Sequence, residues 1–352
     1  MPTSIRPSNQ FTWPQVAPEC KPEGGRGDRL WALTDLATPM ALRVAATLRI
    51  ADHIARGARS VSELAEAVNA DADALDRVLR HLATVGVLRR DGSGRYELTE
   101  LGDGLRDDDP GRLRARLDLE GAVGRADLSF LQLLHAVRTG QPAYPAQFGQ
   151  SFWEELSGNA ALAASFDGLM GSDVAAEAPA IVAAVDWGSL RHVVDVGGGN
   201  GSLLIALLRA YPSLQGTVVD LPAVVETALE ALRAEDLAHR SDVVAGSFFD
   251  PLPPGAGGYL LSAIVHNWND ERARRILRRC AEAAGADSAV FVVERLGADG
   301  ESPSTERDLR MLAYFGGRER GLAELTALAA DSGLAVVAVH AAGVNSIVEL
   351  RS

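Results

Sequence analysis

Apolar side chains recur at Leu33, Leu36, Ala37, Met40, Val44 and Leu48, near the 3.6-residue period of one helix face. Pro39 predicts a break or kink inside that segment. Ser60, followed three residues on by Glu63, forms a capping box that opens a second helix. A third, after Asn69 and Asp71, carries Leu75, Val78, Leu79, Leu82 and Val85 on one face and ends at Gly86. Two short runs, 87–90 and 95–98, flank a turn of Asp91, Gly92, Ser93 and Gly94 and predict a hairpin. Helix, turn, helix and hairpin together predict a winged-helix module. Residues 107–185 keep a helical, connective pattern through Leu113, Leu117, Leu128, Leu131, Leu134 and Val137, interrupted by a proline-bearing loop at 140–145.

From Arg191 the period changes. Short apolar runs at 192–196, 217–220, 242–245, 259–265, 289–294, 334–339 and 346–350 alternate with helical stretches at about 202–210, 222–236, 270–285 and 321–332. The alternation predicts an α/β class fold with a Rossmann-like, doubly wound sheet. Residues 341–345 are too few for a crossover, so the last two strands pair as an antiparallel C-terminal hairpin. The expected organisation is a Pro- and Gly-rich flexible leader at 1–27, the α-helical winged-helix module at 28–105, a helical connector at 106–185 that contributes to a ligand pocket, and the sheet domain at 186–352.

Charge narrows the function classes. Lys and Arg number 34 against 47 Asp and Glu, a formal charge of −13, which argues against non-specific binding to nucleic acid or anionic membranes. The bases of the third helix and the hairpin (Arg77, Arg80, His81, Arg89, Arg90, Arg95) are interleaved with Asp71, Asp73, Asp76, Asp91 and Glu97. A DNA-binding regulator is therefore the competing non-catalytic class, and the module reads better as a device for pairing with a second copy. No stretch approaches the roughly 20 apolar residues of a membrane span. Cys20 and Cys280 give no disulfide framework, and no His, Asp or Glu cluster stands at metal-ligand spacing. A cytoplasmic chain without nucleic-acid, membrane or metal partners is the expectation.

The run Asp195, Val196, Gly197, Gly198, Gly199, Asn200, Gly201 joins a predicted strand to a predicted helix. A dinucleotide fingerprint would need glycine at 202, where the chain has Ser202. Asp195 is more telling. A pyrophosphate at that helix N-terminus would meet an unpaired carboxylate, whereas a ligand bearing an ammonium and a sulfonium would be attracted to it. S-adenosylmethionine (SAM) is such a ligand, so an NAD-type oxidoreductase is the weaker enzyme class. Ligands of these sheets sit outside the strand carboxyl ends, which here carry Asp195, Asp220, Ser247, Phe248, His266 and Glu294. Asp220 can accept the hydroxyls of a ribose or cap the helix that follows it. An imidazole near pKa 6.5 can take the proton of a phenol near 10 as its oxygen reacts, and a neighbouring carboxylate would orient the ring.

Three segments carry a family resemblance: 193–201, 246–250, and 265–280 with its opening Val265, His266, Asn267, Trp268, Asn269, Asp270. They resemble the SAM-dependent small-molecule O-methyltransferases, plant caffeate and flavonoid enzymes and bacterial antibiotic-tailoring enzymes alike, for which an antiparallel sheet closure is also expected. Runs 35–48 and 310–317 look closest to bacterial enzymes that methylate naphthoate or related aromatic polyketides in enediyne pathways. The resemblance implies His266 as general base with Glu294 and Glu319 as flanking acids. It places Gly197, Gly199, Asp220, Ser247 and Phe248 at cofactor positions beside Asp195. Phe166, Met170, Met311 and Phe315 fall in an acceptor pocket to which Trp153 and Asn267 are also assigned. Ser262 stands where plant enzymes carry Lys, Asn267 where the usual residue is Asp, and Ser247 where an acidic adenine partner is usual. The implied protein is a homodimer, paired through its N-terminal domain, that uses SAM, releases S-adenosylhomocysteine and acts on an aromatic hydroxyl without a metal.

Overall fold

The computed structural model describes residues 30–297 and 304–352, so the leader expected at 1–27 lies outside the described residues. Two compact units divide the chain, the first ending at Arg114 and the second running from Ala115 to Ser352.

In the first unit, helices Ala37–Thr47, Ile50–Ala55, Val61–Val68 and Ala72–Thr84 precede a two-stranded antiparallel hairpin, β1 (Leu88–Arg90) and β2 (Tyr96–Leu98). Its core buries Ala45, Ile54, Leu64, Leu79, Leu82 and Tyr96. The capping box is formed: Ser60 Oγ accepts from Glu63 N–H, and Glu63 accepts from Ser60 N–H at 2.8 Å. The break expected near Pro39 is present: the helical pattern stops at 33–36 and resumes at Ala37. Pro39 sits in the first turn of the helix that resumes, where no backbone donor is lost, and the chain turns again at Arg49, held at φ +52°. On helix Ala72–Thr84 Arg77 and Arg80 pair with their own Asp73 and Asp76 one turn away, and Arg89 of β1 pairs with Glu97, which weakens the basic face a DNA reader needs.

The second unit is built on seven strands in the order β5-β4-β3-β6-β7-β9-β8, namely β3 (His192–Val196), β4 (Gln215–Asp220), β5 (Ser241–Ala245), β6 (Gly258–Ser262), β7 (Ala289–Glu294), β8 (Ala335–Ala342) and β9 (Asn345–Arg351). The first five pair in parallel, while β9 runs antiparallel to both β7 and β8, as the short connection required. Strands covered on both faces read as continuous apolar runs. On β3, Val193 packs with Leu204, Leu207 and Leu232 on one face, while Val194 packs with Ile276, Leu277 and Leu328 on the other. Because β4 and β6 flank β3 on opposite sides, the sheet order switches at β3, and a crevice opens past its carboxyl end.

A helical layer of the same unit includes Phe152–Gly158, the long helix Ala160–Ala184 and Thr305–Phe315, the last not evident from the sequence pattern. Tyr144, Phe152, Leu162 and Tyr314 are buried together there, and Asp127 accepts from the Tyr314 hydroxyl and from Arg310. β6 also ends sooner than the apolar run suggested. It stops at Ser262, Ala263 takes a left-handed φ of +54°, and Val265–Asn267 form a single 3-10 turn. His266 is thus carried on a turn rather than on a strand end.

Candidate active site

The loop after β3 is shaped by close approach. Gly197 donates its N–H to Val219 O at 2.8 Å and holds φ +74°. A Cβ there would stand 2.6 Å from Ile264 Cδ1 and 3.4 Å from Phe248, so only glycine lets Ile264 pack this close to the loop, whereas beside Gly199 the space is open. Asp220 accepts from Gly199 N–H at 2.9 Å and from Leu221 N–H at 2.7 Å, thereby tying the loop to the end of β4. Both carboxylate oxygens keep a lone pair for a further donor. Ser247 Oγ accepts from Phe249 N–H, which turns the Phe248 ring toward Gly197. Ser262 is half-buried at the end of β6, level with Val293.

The floor is acidic. Asp195 is 1% exposed and its Oδ2 has no hydrogen-bond partner. Burial, then the neighbouring Asp220, pushes its carboxyl up to about 7. Burial also raises Asp220 despite its two N–H bonds, and burial with Asp220 raises Asp167, which the long helix Ala160–Ala184 brings in. Among the described residues no Lys or Arg pairs with any of the three. Three desolvated carboxylates without a counter-ion repel a phosphate and favour a cationic ligand.

Past the end of β6, His266 is buried with its backbone and ring both pinned. Its N–H donates to Glu294 Oε1 at 3.2 Å, and its carbonyl accepts from Arg318 N–H at 2.9 Å. Nδ1 lies 3.1 Å from Glu319 Oε1 and 3.5 Å from Glu294 Oε2. Carboxylates only accept, so Nδ1 carries the proton and Nε2 keeps its lone pair, with no hydrogen-bond partner among the described residues. Burial alone would lower the imidazole pKa, but Glu294 and Glu319 outweigh it and raise it above the ordinary value. Burial, assisted by Glu319, raises Glu294. Burial would raise Glu319 too, yet its bonds to His266 and Arg307 hold it below the usual range.

The approach of residue 317 fixes this turn. A Cβ on Gly317 would lie 2.2 Å from His266 O and 2.5 Å from the Asn267 carbonyl carbon. Gly317→Ala is therefore expected to displace the His266 turn from its glutamates, destabilising the unit by roughly 1–3 kcal/mol and lowering turnover. Wild-type thermal unfolding together with wild-type turnover in that variant would show that the turn tolerates the side chain.

A row of aromatic rings runs to Trp268, two residues past His266. Trp153 stacks on Phe315 (centroids 5.1 Å, planes 16° apart) and on Trp268 (6.5 Å, 21°), while Phe152 and Phe166 meet edge to face at 5.4 Å. Phe248 extends the row to Trp268 at 5.8 Å. Met311 is buried and Met170 half-buried on the helices that carry these rings. Asn267 donates to Ala263 O at 3.1 Å, bracing the turn. Trp153 Nε1 is buried without a partner.

Asp195, Gly197, Gly199, Asp220 and Phe248 thus come together at the β3 crevice, and His266, Glu294 and Glu319 at the adjoining turn. Sequence reasoning missed Asp167, Trp268 and Arg307, whose Nε is 3.1 Å from Glu319 Oε1. Asp167 and Arg307 belong to helices rather than motifs, and only Trp268, next to the His266 segment, carried a local signal. No described group of three or more His, Cys, Asp or Glu is placed to hold a metal, and no described helix is long and apolar enough to cross a membrane.

Known proteins align with this arrangement. The model of the O-methyltransferase domain matches residues 130–335, and that of the O-methyltransferase dimerisation domain matches residues 31–106. The 2,7-dihydroxy-5-methyl-1-naphthoate 7-O-methyltransferase of Streptomyces carzinostaticus is 56% identical over 323 residues, 92% of this chain and 97% of the relative. Aclacinomycin 10-hydroxylase RdmB of Streptomyces purpurascens is 46% identical over 323 residues, 90% of this chain and 86% of the relative. The crystal structure of NcsB1, an O-methyltransferase from neocarzinostatin biosynthesis in complex with SAM and 2-hydroxy-5-methyl naphthoic acid, superposes with a TM-score of 0.89 at 55% identity. That match covers 92% of this chain and 98% of NcsB1. With an acidic glycine-loop crevice, a glutamate-flanked histidine and both family domains in one chain, the protein belongs to the SAM-dependent small-molecule O-methyltransferases.

Proposed function

We propose that this chain methylates a phenolic hydroxyl of a polycyclic aromatic acceptor, naphthoate-like or anthraquinone-like, during the assembly of a bacterial antibiotic. The observation that carries the reading is His266, buried with Nδ1 bonded to Glu319 and Nε2 left as a base. The naphthoate activity of the 56%-identical relative and the naphthoic acid held by NcsB1 supply the acceptor class.

The orphaned Asp195 oxygen and the open space beside Gly199 fit SAM, whose ammonium and sulfonium suit an acidic nest. When bound, SAM supplies the electrophilic methyl group. Asp195, Gly197, Gly199, Asp220, Ser247, Phe248 and Ser262 would hold it. Phe166, Met170, Met311, Phe315, Trp153 and Asn267 would line the acceptor side and exclude water from it. His266 Nε2 receives the hydroxyl proton, Glu319 keeps Nδ1–H in place, and Glu294 fixes the backbone of the turn and stabilises the imidazolium. Much of the remaining rate comes from holding the acceptor oxygen in line, which well-packed rings can do.

A homodimer paired through the N-terminal domain fits the dimerisation-domain match and the exposed row Trp31, Leu33 and Leu36, and a cytoplasmic setting fits the composition. Incubating the chain with labelled SAM and a panel of hydroxynaphthoates, anthraquinones and anthracyclines tests the reading. Methyl transfer to a ring hydroxyl of at least one bicyclic or larger phenol is expected. Because a 46%-identical relative is named a hydroxylase, products are weighed by mass spectrometry. Gain of an oxygen without a methyl group, or no product across the panel, would overturn it.

A further inference from the structure

Arg307 stands outside every motif that defines the site, yet its guanidinium reaches the ring and one of its glutamates. Nε lies 3.1 Å from Glu319 Oε1, and Nη2 lies 3.5 Å from His266 Nδ1. It is placed there by the N-terminal turn of helix Thr305–Phe315, where Ser304 Oγ caps the Arg307 N–H at 3.3 Å. The contact answers a difficulty in the site. Two carboxylates at Nδ1 favour a doubly protonated ring, and an imidazolium cannot accept a phenol's proton. Glu319 is buried and its Oε2 has no partner, so without a cation its charge would act on the imidazole alone.

We propose that Arg307 is a positioning residue that keeps His266 in its neutral, proton-accepting form by sharing Glu319 Oε1 and opposing a second proton on the ring. The inference rests on the reading of His266 as the base. Other charges around the turn are committed elsewhere. Asp308 accepts from Glu319 N–H at 2.8 Å, and Arg318 offers His266 its backbone N–H while its side chain pairs with Glu324. Arg320 is bonded to the Val265 and Trp268 carbonyls and to Asp270, and Arg295 to Glu177. Among the described residues, Arg307 is the guanidinium that contacts the imidazole.

The test compares Arg307→Met with Arg307→Lys in the full chain, using ring-labelled histidine and proton-nitrogen correlation spectra in which His266→Ala assigns the signal. In Arg307→Met the His266 titration midpoint is expected to rise by about one pH unit. The acid limb of kcat/KM, measured on a hydroxynaphthoate acceptor, should follow it. The rate would then fall about tenfold at neutral pH and recover in alkaline buffer. Arg307→Lys, which keeps the charge, should return most of the midpoint shift. An unmoved midpoint, or a rate loss equal at all pH values, overturns the proposal. If Arg307→Met does not fold, Arg307→Gln reads the same midpoint. Wild-type turnover in His266→Ala would instead sink the base reading while leaving the midpoint comparison intact, so the two failures are distinguishable.

Discussion

Replacing His266 with alanine is expected to lower turnover at neutral pH by roughly 10²–10⁴-fold, the range of a lost general base, while SAM binding measured by calorimetry stays near wild type. The separation follows from geometry. Among the described residues, the carboxylates and glycines of the β3 crevice make no hydrogen bond to the imidazole, whereas the ring's polar contacts run to Glu294, Glu319 and Arg307. A loss of kcat with little change in cofactor affinity is what removal of a contact made only in the transition state produces. The pH profile adds a sign. The glutamates raise the His266 pKa, and a base works in its neutral form, so wild-type activity should fall on acidification through a midpoint above the ordinary 6.5. In His266→Ala that acid limb should vanish. A variant that keeps wild-type turnover, or keeps the limb, would show that proximity alone drives transfer.

How far the chain announced this site depends on whether each signal was local. The strand, glycine loop and helix at 192–210 were legible because strand period, loop glycines and helix period are all properties of neighbouring residues. The antiparallel closure was legible from loop length alone. The end of β6 was not, because Ala263 adopts a left-handed φ that no residue type there advertises, and the apolar run continues through Val265. The turn at Arg49 is the same case, with tertiary packing setting the backbone. Glu319 and Arg307 lie 53 and 41 residues from His266 and meet it only through folding. Family resemblance supplied the first, and nothing in the sequence pattern supplied the second. Asp167 likewise joins the acidic floor only because a helix remote from the glycine loop packs beside it.

Asp195→Asn should weaken SAM binding by about 30-fold to several thousandfold, corresponding to the roughly 2–5 kcal/mol measured when one member of a buried, hydrogen-bonded charge pair is truncated. The side chain is 1% exposed and one oxygen is orphaned, so the floor already bears the cost of desolvating a carboxylate and a bound ammonium would recover it. The sign of the pH effect is fixed by the same burial. With its carboxyl pushed up to about 7, Asp195 is protonated in the ligand-free chain below that value and must release a proton to pair with a cation. Wild-type affinity should therefore be greatest above pH 7 and fall, by up to about tenfold per unit, below it. Asp195→Asn should be nearly flat across the same range. Methylthioadenosine, which lacks the amino-acid portion, provides the control: its affinity should change little in the variant and little with pH. An equal loss for both ligands would mean that the substitution deforms the glycine loop, and an undiminished SAM affinity would mean that the ammonium finds its partner elsewhere. A selective, pH-dependent loss would make the orphaned oxygen of Asp195 the group that lets this crevice prefer a cationic donor to a phosphate.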